Sequence, residues 1–258
     1  MLTIDAVLLG GGQGVRFSSS LNASIPKQFS RISGLPVFLY ALKALKSLDC
    51  IRRFFFVVPP EHLELAEELI QLHCSVLDPR EIRVIAGGSR RLDSSRLALD
   101  AIECVSTPPT RVLIHDACRP ILPSLLLARV QTALLDRSYG AWVPVVPARD
   151  TLKQIRNDQV VETLNRTEIY HVQTPQVFEF SVIKSLIDKA KSLEGHEFTD
   201  DASVCEYYGI PVGVFEGDVR NIKLTYGFEI ETLRSLLGSE DSEEVRKCEP
   251  ASDMTFTD

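Results

Sequence analysis

The chain has 258 residues, 45% hydrophobic and 24% charged, which is ordinary for a globular protein and enough for one large α/β domain or two small ones. The net charge of −7 is concentrated at the end: from 239 to 258, seven acidic residues stand against Arg246 and Lys247, a balance of −5 that leaves about −2 for the body. That balance gives no support for nucleic acid or an anionic membrane as a partner, and no apolar run approaches the roughly 18 residues of a membrane span.

The first predicted strand, 5–9, runs into Gly10-Gly11-Gly12-Gln13-Gly14-Val15-Arg16, and Pro26-Lys27-Gln28 follows. So many glycines leave a bare backbone whose N–H groups can press against phosphates or a base edge. Arg16 and Lys27 bracket the loop with fixed cations, a set suited to a nucleoside triphosphate whose phosphates are being cut. The spacing does not match a P-loop, which needs Gly-Lys-Ser/Thr, nor Gly-x-Gly-x-x-Gly, because the sixth residue counted from Gly12 is Phe17.

Further along, helical periodicity is predicted over 36–48, 61–72, 90–104 and 123–136, alternating with strands at 53–58, 82–86, 111–115 and 141–146. Strand followed by helix, repeated, implies right-handed crossovers and a mainly parallel twisted sheet, with ligands bound beyond the carboxyl ends of its strands. The glycine loop lies at one such end, and His115-Asp116-Ala117-Cys118-Arg119-Pro120 at another. After Pro147 the pattern changes: 151–155 and 160–164, joined by Arg156-Asn157-Asp158-Gln159, read as a β-hairpin projecting from the sheet. Helices at 182–193 and 200–208, a strand at 212–215 and a last helix at 228–237 complete the series. This gives one domain over 1–238, with an arm at about 148–172, and a polar, acidic and mobile tail over 239–258.

The six cysteines include no Cys-x-x-Cys pair, and no secretory leader precedes the first strand, so reduced thiols and a cytoplasmic location are expected. The five histidines lack metal-ligand spacing, so zinc is not indicated.

Taken together, these strings resemble the 2-C-methyl-D-erythritol 4-phosphate cytidylyltransferases of the non-mevalonate isoprenoid route. The resemblance covers roughly residues 3 to 237 in the family's order. It includes the glycine loop, Pro26-Lys27-Gln28, Gly87-Gly88-Ser89-Arg90-Arg91-Leu92-Asp93-Ser94, the His115–Pro120 string, Asp150-Thr151-Leu152-Lys153 and Thr163-Leu164-Asn165-Arg166. Gln173-Thr174-Pro175-Gln176, Thr199-Asp200-Asp201-Ala202-Ser203 and Asn221-Ile222-Lys223-Leu224-Thr225 complete it. The first two strings alone would indicate only a nucleotidyltransferase; the later ones narrow it to this group.

The resemblance implies a Rossmann-like three-layer nucleotidyltransferase fold, CTP as co-substrate and Mg²⁺ or another divalent cation. A phosphate oxygen of the acceptor attacks the α-phosphorus of CTP and releases pyrophosphate, so the chief barrier is bringing anion onto anion. By resemblance, Arg16 and Lys27 stabilise the transition state, while Arg166 and Lys223 orient the attacking phosphate. Arg166 lies on an arm that the family exchanges across a homodimer, so it is expected to complete the partner's site. Thr151, Thr174 and Thr199 are expected to contact the acceptor. Asp116 is expected near the ribose and the metal, where hard oxygen ligands suit Mg²⁺. The nucleotide set is completed by Gly12, Gly14, Ala117 and Arg91. Base choice is assigned to Gly10 and Gly11 with Gly88 and Ser94, whose close-packed backbone admits a pyrimidine.

The sequence departs from the family at Cys118, at Ser95 and after Lys223, where Thr225-Tyr226-Gly227-Phe228-Glu229 replaces Thr-x-Pro-Glu-Asp. None of these removes a charge that the chemistry requires. A sister enzyme that uses CTP with ribitol 5-phosphate shares most of the strings. Asp150-Thr151-Leu152-Lys153, and Asn165-Arg166 seven residues before Gln173, favour methylerythritol phosphate. A non-catalytic nucleotide-binding module would have lost one of the four phosphate-side cations, and Arg16, Lys27, Arg166 and Lys223 are all present.

Overall fold

The computed structural model describes residues 2–11, 26–73, 82–105, 107–193 and 196–240. Its centre is β1 (Ile4–Leu9), buried at every position and paired in parallel with β4 (Ile51–Val58) on one side and β6 (Arg111–Asp116) on the other. β5 (Ile82–Ala86) adds in parallel beyond β4. β2 (Arg31–Ile32) and β3 (Leu35–Pro36) form a separate small ribbon.

Side chains on β1 and β4 alternate between two hydrophobic clusters, as the two-residue repeat of a strand requires. Ala6, Leu8, Phe54, Phe56 and Val58 enter one cluster, and Val7, Leu9, Phe55 and Val57 the other. The first cluster is covered by α1 (Val37–Lys46), α2 (Leu63–Leu72) and α4 (Ser124–Leu135), with Phe38 stacked on Phe56 at 4.4 Å between ring centroids. The second is covered by α3 (Arg91–Glu103), α5 (Phe180–Ala190) and α6 (Ala202–Tyr207). Helices on both faces of a mainly parallel sheet give the three layers expected.

The far half of the sheet differs from the expectation. β7 (Ala141–Pro147) is separated from β6 by β11 (Gln176–Glu179), which runs antiparallel to both. β10 (Tyr170–Val172) pairs antiparallel with the end of β7, and β12 (Val212–Glu216) pairs with β7 in parallel. Neither β10 nor β11 was predicted. Each is very short, and β11 leaves Pro175 and passes directly into α5, so no alternating pattern accumulates. The two follow one edge of β7 as an interrupted strand, broken at Gln173-Thr174-Pro175, and that break faces the site described below.

The hairpin stands as predicted. β8 (Lys153–Arg156) and β9 (Gln159–Thr163) are exposed throughout and meet at Asn157 and Asp158, both with positive φ (49° and 61°), as a two-residue hairpin turn demands. Its roots are tied by β10 on β7 and by the Ala148 N–H to the Ile169 carbonyl. The last helix, α7 (Glu229–Glu240), extends past Gly238, two residues into the stretch expected to be tail; residues 241–258 lie outside the described residues.

Candidate active site

The site lies where β1, β4, β5 and β6 end. Leu9 and Asp116 are register partners at the carboxyl ends of adjacent strands, and the Ala117 N–H carries the ladder on to the Leu9 carbonyl (2.9 Å). Gly10 then turns away, its N–H bonded to the Val57 carbonyl (2.7 Å) and its own carbonyl accepting from Gln28 Nε2 (2.6 Å).

Glycine is required here by close approach. A Cβ on Gly11 would stand 2.7 Å from Ser94 Oγ, and one on Gly88 would stand 2.3 Å from Asp93 Cβ. Ser94, on the first turn of α3, accepts from the Gly88 N–H (3.1 Å), which draws the loop after β5 over the helix N-terminus. Asp93 closes that terminus by accepting from the Arg90 N–H (3.2 Å). Gly10, Gly11, Lys27, Arg91, Ser94, Asp116 and Lys223 thus line one cleft that opens to solvent.

Asp116 is the hub. Its buried carboxylate meets Lys223 Nζ at 2.9 Å, Arg119 Nε at 3.3 Å and Arg91 NH2 at 3.5 Å. Burial alone would raise its pKa, but Lys223, Arg91 and Arg119 outweigh that and hold the carboxyl well below the usual range. Arg91 also pairs with the fully buried Asp201. Burial would weaken the Arg91 charge; Asp201 and Asp116 more than compensate, so its pKa is raised.

A second cleft shares Arg91, Asp116 and Lys223 with the first and adds Arg119, Thr174 and Thr199. Its walls are stapled by buried amides. Gln173 donates to the Asp218 carbonyl (2.8 Å) and accepts from the Asp218 N–H (3.1 Å). The Asn221 side-chain amide donates to the Thr174 carbonyl (2.7 Å), while the Asn221 backbone carbonyl accepts from Arg119 (2.8 Å). Gln176 reaches Asp200 (2.6 Å) and the Ala202 N–H (3.2 Å). These bonds fix the segment carrying Lys223 against the break between β10 and β11.

Behind Asp116 lies His115, fully buried. Its Nε2 is 3.0 Å from the Arg119 carbonyl and its Nδ1 is 2.9 Å from the Thr174 hydroxyl, whose oxygen also accepts from the Asp116 N–H (3.1 Å). Burial pushes the imidazole down to about 4, so it is neutral near pH 7.

Most of the predicted residues therefore converge. Gly88 borders the first cleft through Ser94, and Ala117 is buried with its N–H spent on Leu9. Thr151 and Arg166 do not join either cleft within one chain: both are exposed at the base of the arm, where Arg166 donates to the Arg149 carbonyl (2.9 Å). Gly12, Gly14 and Arg16 lie outside the described residues. Sequence reasoning assigned no role to His115, Arg119, Gln173, Asn221 or Asp201, although all five sit in the quoted strings. The available signal was a polar residue at the end of an apolar strand, or in a buried turn.

The described residues contain no group of three or more His, Cys, Asp or Glu that could cage a metal ion. Asp116 is the acidic residue that lines the first cleft.

The family model of IspD, 2-C-methyl-D-erythritol 4-phosphate cytidylyltransferase, matches residues 4–238. The 2-C-methyl-D-erythritol 4-phosphate cytidylyltransferase of Aquifex aeolicus is 34% identical over 236 residues, 92% of this chain and 98% of that protein. The bifunctional enzyme IspD/IspF of Bartonella bacilliformis is 32% identical over 92% of this chain, which spans only 57% of that longer protein. Among solved structures, the 4-diphosphocytidyl-2C-methyl-D-erythritol synthase of Anaerococcus prevotii superposes with a TM-score of 0.74 at 23% identity, covering 92% of this chain and 98% of the other, a likeness of fold. With its strands, glycine turns and cation-ringed carboxylate in that order, and a match over nearly its whole length, this chain belongs to the 2-C-methyl-D-erythritol 4-phosphate cytidylyltransferase family.

Proposed function

We propose that residues 1–238 form one catalytic domain that transfers CMP from CTP to 2-C-methyl-D-erythritol 4-phosphate. An acceptor phosphate oxygen forms a bond to the α-phosphorus as the α–β bridge breaks, giving the cytidine diphosphate conjugate and pyrophosphate. The observation that carries this reading is the position of Asp116, Arg91 and Lys223 in the wall common to two clefts. Two anions must meet there, and fixed cations lower that barrier more than a protein nucleophile would.

In this reading CTP occupies the first cleft. Gly11, Gly88 and Ser94 pack closely at the base end, and we take that crowding to favour a pyrimidine over a purine. The Gly10 carbonyl, which accepts from Gln28, also borders this cleft. Lys27, in the wall of this cleft, is taken to face the phosphates, the role the family resemblance also gives Arg16. The acceptor occupies the second cleft, its phosphate against Lys223 and its hydroxyls near Thr174 and Thr199.

The donor set suits a divalent cation held mainly by substrate phosphates, since Mg²⁺ commonly takes one or two carboxylates and keeps its remaining oxygens from phosphate and water. Asp116 is the carboxylate at hand, but both its oxygens already meet Arg91, Arg119 and Lys223, so substrate phosphates and water would supply most of the ligands; when bound, the ion would neutralise charge on the triphosphate.

We assign the arm to a homodimer. Ile155, Val160, Val161, Tyr170 and Val172 are 45–58% exposed on or beside it, an apolar surface suited to a second subunit. Thr151 and Arg166 would then serve the partner's second cleft. The setting is taken as cytoplasmic, with reduced thiols; no helix among the described residues is long and apolar enough to cross a membrane.

Pyrophosphate release measured with four nucleotides, Mg²⁺, and either methylerythritol phosphate or ribitol 5-phosphate tests the reading. Turnover is expected with CTP and methylerythritol phosphate. Faster turnover with ribitol phosphate, or none with either acceptor, would overturn it. For the arm, an Arg166→Ala chain mixed with a Lys223→Ala chain, assayed at acceptor concentrations well below KM, should turn over faster than either variant alone, because one site of the mixed dimer keeps both cations.

A further inference from the structure

We propose that His115 is a positioning residue that sets the hydrogen-bond polarity of the acceptor cleft, making the Thr174 hydroxyl an obligate acceptor that reads a hydroxyl of the sugar rather than its phosphate. This deepens the function proposed above and rests on it.

Donors and lone pairs around the ring fix the polarity of each bond. The partner of His115 Nε2 is a backbone carbonyl, that of Arg119, 3.0 Å away, and a carbonyl cannot donate. Nε2 therefore carries the proton; the ring is fully buried with no carboxylate bonded to either nitrogen, which favours the neutral form and leaves Nδ1 as a bare acceptor. The Thr174 hydroxyl, 2.9 Å from Nδ1, must donate to it. One of the two lone pairs on Thr174 Oγ1 is taken by the Asp116 N–H at 3.1 Å. A single lone pair remains for the cleft that Thr174 lines.

A phosphate oxygen also only accepts, so it would meet that lone pair repulsively, whereas a sugar hydroxyl would donate into it. The imidazole is fully buried and touches no cleft, so it acts through Thr174, Asp116 and the Arg119 backbone. The ring thereby ties together three residues of the acceptor wall, while Lys27 and Ser94, at the nucleotide end, lie outside its bonds.

The test compares two substitutions with one direct observation. His115→Asn keeps an oxygen near the Nδ1 position and so keeps Thr174 as an acceptor; His115→Phe removes it. His115→Phe is expected to raise KM for methylerythritol phosphate about tenfold, the effect of one lost hydrogen bond, with KM for CTP unchanged. His115→Asn should stay close to wild type for both substrates. Equal rises in both KM values for His115→Phe, or an Asn variant as impaired as the Phe variant, would overturn the proposal. If the variants fail to fold, imidazole ¹⁵N shifts of the unaltered enzyme decide the matter: they should report the Nε2–H tautomer for His115, and an Nδ1–H tautomer would overturn it. Absence of pyrophosphate release with any acceptor would instead defeat the proposed function, and the tautomer reading would stand apart from it.

Discussion

Two buried aspartates sit near opposite ends of the central sheet, and their surroundings separate structure from chemistry. Asp5, on β1, is fully buried and held by Arg52 Nε at 2.9 Å and Arg53 NH2 at 2.6 Å, and both guanidiniums also donate to the Thr107 carbonyl. Both guanidiniums are thereby spent on partners within the protein, and neither lines a cleft of the site. Asp116, at the far end of β6, is ringed by three cations at 2.9–3.5 Å, and it lines two clefts together with Lys223, whose side chain is 39% exposed. Arg91 is shared with Asp201, so each cluster carries one positive charge more than its carboxylates cancel, but only around Asp116 does that surplus open onto the two clefts. A closed ion cluster holds a fold together; one with cations to spare and an open side is equipped to receive an anion.

Substitutions at the two ends should diverge accordingly. The largest effect is expected from Lys223→Ala or Lys27→Ala, which should lower kcat/KM roughly 10²–10³-fold in a pyrophosphate assay, the usual loss for one transition-state donor, while the melting temperature moves little. Asp5→Ala should do the reverse. Uncovering Arg52 and Arg53 costs about 3–5 kcal/mol, a fall of roughly 10 °C in Tm for a chain of this size, with kcat of the folded fraction preserved. If both changes damaged turnover and stability alike, the distinction between the ends would be lost.

Smaller effects sharpen the contrast within the site. Arg166→Ala should raise KM for the sugar phosphate about tenfold and leave KM for CTP near wild type, since it removes one charge-assisted contact at the acceptor end. Gly88→Ala should act at the nucleotide end, because its Cβ would stand 2.3 Å from Asp93 Cβ and push the loop off Ser94. A rise of several-fold in KM for CTP, read from initial rates, is the expected result. Smallest of all is Lys184→Met. Lys184 bridges Asp100, Glu103 and Asp188 across α3 and α5, away from both clefts, and this partly exposed network should contribute only about 1 kcal/mol, visible as a slightly lower denaturant midpoint with unchanged kinetics.

The parallel half of the fold was legible because its strands are long apolar runs separated by helical periodicity, as in Ile51–Val58 followed by Leu63–Leu72. β10 and β11 were not legible: three and four residues carry no period, and their place is set by tertiary pairing with β6 and β7. In the site, Asp116, Lys223, Thr174 and Ser94 were found through the strings that contain them. Their supports were harder to read. The roles of His115, Gln173 and Asn221 depend on hydroxyl and carbonyl partners up to 59 positions away in sequence, and one-dimensional spacing does not encode such partners. Arg166 shows the opposite case: its residue type was readable, but the chain it serves is not given by the sequence order.

The interruption between β10 and β11 has a mechanical side. Tyr170–Val172 is laced to Pro147–Val145, and the next two residues are Gln173 and Thr174. The hairpin and the acceptor wall are therefore one lever with its fulcrum on β7. Whatever grips the ribbon pulls on Thr174 through a handful of peptide bonds, while the glycine turns beyond β1 and β5 hang from different strands and are spared the strain.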